Sequence, residues 1–287
     1  MDAKIHRRVQ RYGWDLAVEA YDRHWVPVLA ACSERSIELA APQFGERLLD
    51  VATGTGVAAF MSAARVGDGG EVVATDISER MVESTRAEAA RRGVANMRFQ
   101  RVDAEDLPFD DASFDAATCV LGMMYPADPQ RAIEQMHRVL RPGGRATVCV
   151  WGRRDRCGWN AVFPIIDARV SSDVCPMFFS LGTPGALAFT FERAGFVDLH
   201  EERTDNTLVW RSDEEACGAI FPGGPVALPY SKMSPAVRAE VHREYLDTIA
   251  KYRGEDGSYR VEGEFVYMLG RKRRQTRFWY AASTEAR

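Results

Sequence analysis

Nine residues constrain this chain more than any others: Leu48-Leu49-Asp50-Val51-Ala52-Thr53-Gly54-Thr55-Gly56. A short apolar run that ends in glycines and passes straight into Val57 to Val66, an apolar stretch of helical length, reads as strand, turn and helix. Glycine lets the backbone approach a ligand closely, and the amides at the start of the following helix face whatever sits there. Such a turn suits an adenosine-type cofactor in an α/β fold.

The alternation continues downstream. Glu71 to Asp76 reads as the next strand, Ser78 caps a helix through Arg92 with Gly93 just past its end, and strands follow at Met97 to Val102 and Phe114 to Leu121. A helix from Pro129 to Leu140 and a strand from Arg145 to Trp151 complete the series. This spacing predicts a Rossmann-like α/β fold, with a mostly parallel seven-stranded sheet flanked by helices. Ahead of it, residues 14–41 have helical periodicity interrupted at Pro27, giving an N-terminal helical cover over residues 1–44. Residues 45–211 form the core, which after Trp151 adds helices around Trp159 to Val170 and Pro184 to Gly195 and a strand from Phe196 to Arg203. Residues 212–263, with a Pro/Gly-rich stretch and a helix from Ser234 to Tyr252, read as a helical insertion serving as a substrate lid. Residues 264–287 hold a final strand, Glu264 to Leu269, and a basic tail from Arg271 to Arg277.

Bulk properties narrow the partners. Thirty-seven basic against 41 acidic side chains in 287 residues leave a net charge of −4, which attracts neither phosphate backbones nor anionic membranes. A small-molecule partner is expected, with no nucleic acid; a homodimer is allowed. No export leader and no apolar run of bilayer length are visible, so a cytoplasmic location is expected. Cys32, Cys119, Cys149, Cys157, Cys175 and Cys217 lack Cys-x-x-Cys spacing, so no metal centre and no disulfide framework are predicted.

Two cofactors fit the glycine turn. Asp76 follows Gly56 by twenty residues and ends the second strand, where its carboxylate can accept from both hydroxyls of a ribose. Gly54 to Ala59 also satisfies a relaxed dinucleotide fingerprint, so an NAD-dependent oxidoreductase stands as the alternative. Three features favour S-adenosylmethionine (SAM). Asp50 would oppose a pyrophosphate but suits the ammonium of a methionine moiety. Asp103, after the third strand, can accept from an adenine amino group while the amide of Ala104 or Glu105 reaches a ring nitrogen. A helical segment also precedes the first strand, where dinucleotide folds usually begin.

These residues resemble the class I SAM-dependent methyltransferases, and within them the branch similar to the ubiquinone/menaquinone C-methyltransferases. The resemblance covers roughly residues 12–203. Besides the glycine turn it rests on Ala74-Thr75-Asp76-Ile77-Ser78 with Met81, Val102-Asp103-Ala104-Glu105-Asp106-Leu107-Pro108-Phe109, and Phe114-Asp115 through Leu121-Gly122-Met123. Val139-Leu140-Arg141-Pro142-Gly143-Gly144-Arg145 and Ala194-Gly195-Phe196 complete it. It implies that SAM is the cofactor and S-adenosylhomocysteine (SAH) the product. It further implies that Asp76 binds the ribose, that Ile77 and Met81 pack on the adenine, and that Asp103 with Ala104 reads its edge. Val120 and Leu121 would lie beside the cofactor with Ala52, Thr53, Gly54 and Gly56 beneath it, while Tyr21, with Tyr12 and Trp25 near it, would close over the methionine end.

Methyl transfer from a sulfonium uses an already activated cofactor, so the protein mainly aligns the reactants and excludes water, and a dedicated base is optional. His24, on the covering helix, is the single candidate for such a base. The acceptor is expected past the fourth strand, near Met123, Met124, Tyr125 and Trp151, because ligands bind outside the carboxyl ends of strands in such sheets. Met123-Met124-Tyr125-Pro126 replaces the Asn/Asp-Pro-Pro-Tyr/Phe motif of amino-methylating enzymes, and no Pro-Cys nucleophile follows it. Both features argue against nucleic-acid methylation.

Overall fold

The computed structural model describes residues 2–170 and 178–274. Helices α1 (Ala3–His24) and α2 (Val26–Ala40) come first, then β1 (Arg47–Val51), α3 (Val57–Val66), β2 (Glu71–Asp76), α4 (Glu79–Arg92), β3 (Met97–Arg101) and β4 (Phe114–Val120). They are followed by α5 (Pro129–Val139), β5 (Leu140–Trp151), α6 (Val162–Asp167), α7 (Ala186–Arg193) and β6 (Phe196–Trp210). Helices α8 (Asp213–Ile220), α9 (Ala227–Ser231) and α10 (Pro235–Ile249) precede β7 (Tyr259–Lys272).

The seven strands form one sheet in the order β3-β2-β1-β4-β5-β7-β6. The first five are mutually parallel, and β7 runs antiparallel to both β5 and β6. Leu48, Leu49, Val72, Ala74, Ala116, Ala117, Val148 and Val150 are all fully buried, as near-continuous apolar strands under helices on both faces require. Strand order reverses between β1 and β4, so the chain leaves these neighbouring strands toward opposite faces of the sheet. A crevice therefore opens at their carboxyl ends.

Local signals explain the element ends. The hydroxyl of Ser78 accepts from the amide of Met81 at the start of α4, and Gly93 takes the left-handed conformation that ends it. Asp128 and Ser234 cap α5 and α10 in the same way, each with proline in the first turn.

Four element boundaries differ from the sequence expectation. Helix α1 begins at Ala3 rather than near residue 14, because polar Arg7 and Gln10 occupy the inward face of its first turns, which lowers the apolar signal. The division into two helices expected at Pro27 is found: α1 ends at His24 and Pro27 lies in the first turn of α2, where a missing amide costs nothing. The helix expected over Trp159 to Val170 is shortened to α6. Strands β6 and β7 are also longer than expected: they pair continuously from His200↔Leu269 to Trp210↔Tyr259. The half-exposed stretch Glu201-Glu202-Arg203-Thr204-Asp205 carries β6 onward, and polar residues on an outer strand do not read as a buried one. The basic tail beyond Arg274 lies outside the described residues.

Candidate active site

The floor of the crevice is built from residues that leave β1 and β4 in unusual backbone conformations. Ala52 and Leu121, which follow these two strands, both have positive φ, 55° and 56°. A Cβ on Gly122 would come within 2.3 Å of the Ala52 Cβ, so the two strand ends touch only because residue 122 has no side chain. Gly56 has φ 93°, and a Cβ there would lie 2.5 Å from Thr85 Cγ2. The turn thus lies flat over α4, and the Thr85 hydroxyl donates to the Gly54 carbonyl at 2.8 Å.

Four acids stand along this edge. Asp50 is 1% exposed and accepts from Thr118 Oγ1 at 2.6 Å and Thr53 Oγ1 at 2.7 Å. Burial pushes its carboxyl up to about 6 against those stabilising bonds. Asp76 accepts from the Gly54 amide at 2.9 Å through one oxygen and from the Ser78 amide at 2.9 Å through the other. Burial pushes it up to about 6 as well. Asp103 is more open; it pairs with Arg7 Nε at 2.9 Å and accepts from the Glu105 amide at 3.0 Å. Glu105, 2% exposed, bridges Arg7 Nη2 at 2.5 Å and the Ala127 amide at 2.7 Å.

A cavity of about 960 Å³ spans this edge. Asp76, Ile77 and Met81 line it beyond β2, Asp103, Ala104 and Glu105 beyond β3, and Gly54, Ala52, Val120 and Leu121 in the middle. Tyr21 closes over the turn from α1, its ring 3.7 Å from where a Cβ on Gly54 would stand; burial holds its phenol neutral by raising its pKa. Trp25, Tyr125, Trp151 and Trp159 line the part beyond β4 and β5, with Gly224 and Pro225 from the segment between α8 and α9. Three inter-strand steps, roughly 14 Å, separate β2 from β5, and Tyr125 bridges part of that span, since Ala127 just beyond it donates its amide to Glu105 at 2.7 Å. A recess of about 420 Å³ adjoins the middle, lined by Asp50, Thr53, Thr55 and Ala58 among others. The Thr55 hydroxyl is buried there with no partner among the described residues.

A family model for a methyltransferase domain matches residues 48–144. The chain is 30% identical to nocamycin O-methyltransferase of Saccharothrix syringae over 276 residues, which are 91% of this chain and 97% of that protein. It is 42% identical to the ubiquinone/menaquinone biosynthesis C-methyltransferase UbiE of Azotobacter vinelandii over 196 residues, 67% of this chain and 76% of that protein. Among solved structures, a putative methyltransferase from Bacillus halodurans superimposes with a TM-score of 0.58 at 22% identity, covering 84% of this chain and 98% of that one. The chain belongs to the class I SAM-dependent methyltransferases. SAM is its cofactor, and the NAD-dependent alternative finds no support among these relatives.

The residues present suit that cofactor. A methionine moiety carries both charges of an amino acid, and the recess offers it a buried carboxylate, an unpartnered hydroxyl and the amides that open α3. An adenosine needs an apolar cradle with polar groups at its rim, which Ile77, Met81 and Val102 supply between Asp76 and Asp103.

Not every expected residue reaches the cavity. Gly56 lines neither space and acts as the left-handed residue before α3. Met123 and Met124 are buried in the core and line neither of these spaces, so of the four acceptor-side candidates Tyr125 and Trp151 face the cavity. Tyr12 is 43% exposed on the outer side of α1. His24 stands apart, with its ring against Gly218 of α8 and its pKa lowered by burial.

Other lining residues escaped the sequence reading. Arg7, Gln10 and Trp14 join Tyr21 on one face of α1, at intervals of three, four and seven. That periodicity was the available signal, hidden by the polar character of the first two residues. Trp159, Gly224 and Pro225 come from segments whose local sequence says nothing of where they fold back. With Trp210, the tryptophans form one cluster, ring centroids lying 5.9 Å apart for Trp25 and Trp151, 5.8 Å for Trp25 and Trp159, 5.7 Å for Trp25 and Trp210, and 5.0 Å for Trp151 and Trp159. The Trp25 indole donates to the Ala219 carbonyl at 2.7 Å, which fixes the α1–α2 junction to α8.

Proposed function

We propose that the chain methylates a flat, apolar small molecule held at the tryptophan end of the cavity, with oxygen as the favoured methyl-accepting atom. The observation that carries this reading is the composition of that end. Trp25, Trp151 and Trp159, packed ring on ring and at most 4% exposed, make the lining there aromatic and apolar, while the charged lining residues, Arg7, Asp76, Asp103 and Glu105, belong to β2, β3 and the α1 face above them. Aromatic walls favour a planar partner through stacking and edge contacts. The choice of oxygen is supported by the similarity to an O-methyltransferase, which covers 91% of this chain where the match to UbiE covers 67%.

In this assignment Asp76 accepts from the two ribose hydroxyls, and Ile77 and Met81 pack against the adenine. Asp103, with the amide of Ala104 or Glu105, reads the adenine edge. Asp50 supplies negative charge behind the recess, and Thr53, Gly54 and Ala52 form its floor. Val120 and Leu121 flank the reacting centre, and Tyr21 keeps water from it. The bound cofactor supplies an electrophilic methyl group on a sulfonium, which an acceptor atom takes by in-line displacement. The protein contributes alignment and a dry cavity, which strengthens the attraction between an anionic oxygen and the sulfonium.

The test is methyl transfer from labelled SAM to a panel of phenols, enols, quinols, amines and thiols, with product analysis locating the new methyl. Transfer to oxygen of an aromatic or enolic acceptor is the expected result. Transfer confined to charged aliphatic amines would remove the reading.

A further inference from the structure

The helix that covers the cavity has a second face, and its chemistry is self-complementary. Arg7, Gln10, Trp14 and Tyr21 of α1 look inward. On the opposite side Ile5, Tyr12 and Leu16 are 57, 43 and 49% exposed, and the half-buried Val9 completes a stripe at i, i+4, i+7 and i+11. At 3.6 residues per turn, six charges fall on one flank of this stripe, and Arg23 stands in line with it near the helix end. Lys4, Arg8 and Arg11 occupy its first half and Asp15, Glu19 and Asp22 its second, so the sign reverses near the helix centre. Arg8 and Arg11 both lie over the Tyr12 ring, 5.7 and 5.6 Å from its centroid.

We infer that this face pairs with the same face of a second copy of the chain, the two α1 helices running antiparallel about a two-fold axis near Tyr12 and Gly13. An isologous contact requires one patch to complement itself, and antiparallel helices bring like flanks together. In this register Lys4 stands opposite Asp22, Arg8 opposite Glu19, Arg11 opposite Asp15, and Val9 opposite Leu16, each with its reciprocal. Asp15 already accepts from the Ser78 hydroxyl at 2.7 Å and the Arg80 amide at 3.2 Å, whereas Glu19, 84% exposed, makes only a 3.4 Å contact with Arg80, so the Arg8–Glu19 and Lys4–Asp22 pairs set the orientation. Exposed ion pairs contribute little each, so the apolar stripe supplies the association and the charges select its direction. A parallel pair would place like charges together, and an anionic lipid surface would repel the acidic half.

The experiment is sedimentation velocity of the full chain over a range of concentrations, with two single variants and their combination. The wild-type chain is expected as a dimer that dissociates on dilution. Arg8→Glu and Glu19→Arg each turn two attractive contacts repulsive and should weaken dimerisation by about tenfold. Combining both changes in one chain, or mixing the two single variants, restores opposite charges and should restore the dimer. That recovery separates a lost contact from a misfolded chain. A monomer at every concentration overturns the proposal, as does a dimer indifferent to both single changes or one that the combined variant does not recover.

Discussion

The backbone amide of Gly54 donates to a carboxylate oxygen of Asp76 at 2.9 Å, joining the glycine turn after β1 to the acid that ends β2. This bond and those from the Ser78 and Ile77 amides occupy part of the carboxylate's accepting capacity and leave the rest for hydroxyl donors. The Gly54 bond also fixes the distance between the two features that define the cofactor end of the cavity. Asp76→Ala should therefore reduce affinity for SAH by one or two charge-assisted hydrogen bonds, each worth roughly 1.5–3 kcal/mol. Calorimetric titration measures this, and an unchanged affinity would refute the ribose role.

Acidity should matter in a definite direction. Burial raises Asp50 and Asp76 to about 6 each, so both lose their charge as pH falls through that value. Cofactor affinity should then drop below about pH 6, because a protonated Asp76 accepts fewer bonds and a protonated Asp50 no longer attracts an ammonium. Stability of the ligand-free chain should run the other way. These carboxyls bind protons more tightly folded than at their unfolded value near 3.9, so their stabilising contribution is lost as pH rises from about 4 through about 6. Titration calorimetry and thermal melts across this window, with Asp76→Asn as a reference, would show both slopes; a cofactor affinity flat from pH 5 to 8 would contradict the assignment.

The Trp25 indole joins the α1–α2 junction to α8 through the Ala219 carbonyl. Trp25→Phe removes that donor and strands a buried carbonyl, at an expected cost of about 1–3 kcal/mol in denaturant unfolding. The smaller ring also enlarges the acceptor end, so KM for the acceptor should rise while SAH affinity stays near wild type. Equal losses in both would mean that Trp25 serves the cofactor end instead.

His24 offers a negative control. It packs on Gly218 rather than lining the cavity, so His24→Asn should leave kcat within about threefold of wild type, an effect smaller than the hundredfold or more that removal of a general base brings. A larger loss in steady-state turnover would restore it as a base acting from a rearranged cover.

The sheet was legible because its evidence is local and redundant. β1, β2, β4 and the glycine turn combine apolar runs with punctuating glycines, and Ser78 and Gly93 mark both ends of α4. Asp50, Asp76 and Asp103 could be singled out because each stands at a fixed offset from a strand end. The tryptophan end was legible only in part: Tyr125 and Trp151 stand out in the sequence, Trp159 and Pro225 do not. Trp25, Trp151, Trp159 and Pro225 are distant in sequence and meet only through packing of α1, α6 and the α8–α9 segment, which no periodicity encodes. Met123 and Met124 show the converse error: they lie in the right stretch after β4, but the positive φ at Leu121 and the close fit of Gly122 on Ala52 turn the chain so that both side chains enter the core. Strand β6 was cut short because half its side chains are polar.

A crystal structure with SAH bound tests the central claim most directly. The ribose hydroxyls should sit on Asp76, the adenine between Ile77, Met81 and Asp103, and the sulfur should face the chamber walled by Trp25, Trp151 and Trp159. A ribose held away from Asp76, or a sulfur directed away from the three tryptophans, would contradict it.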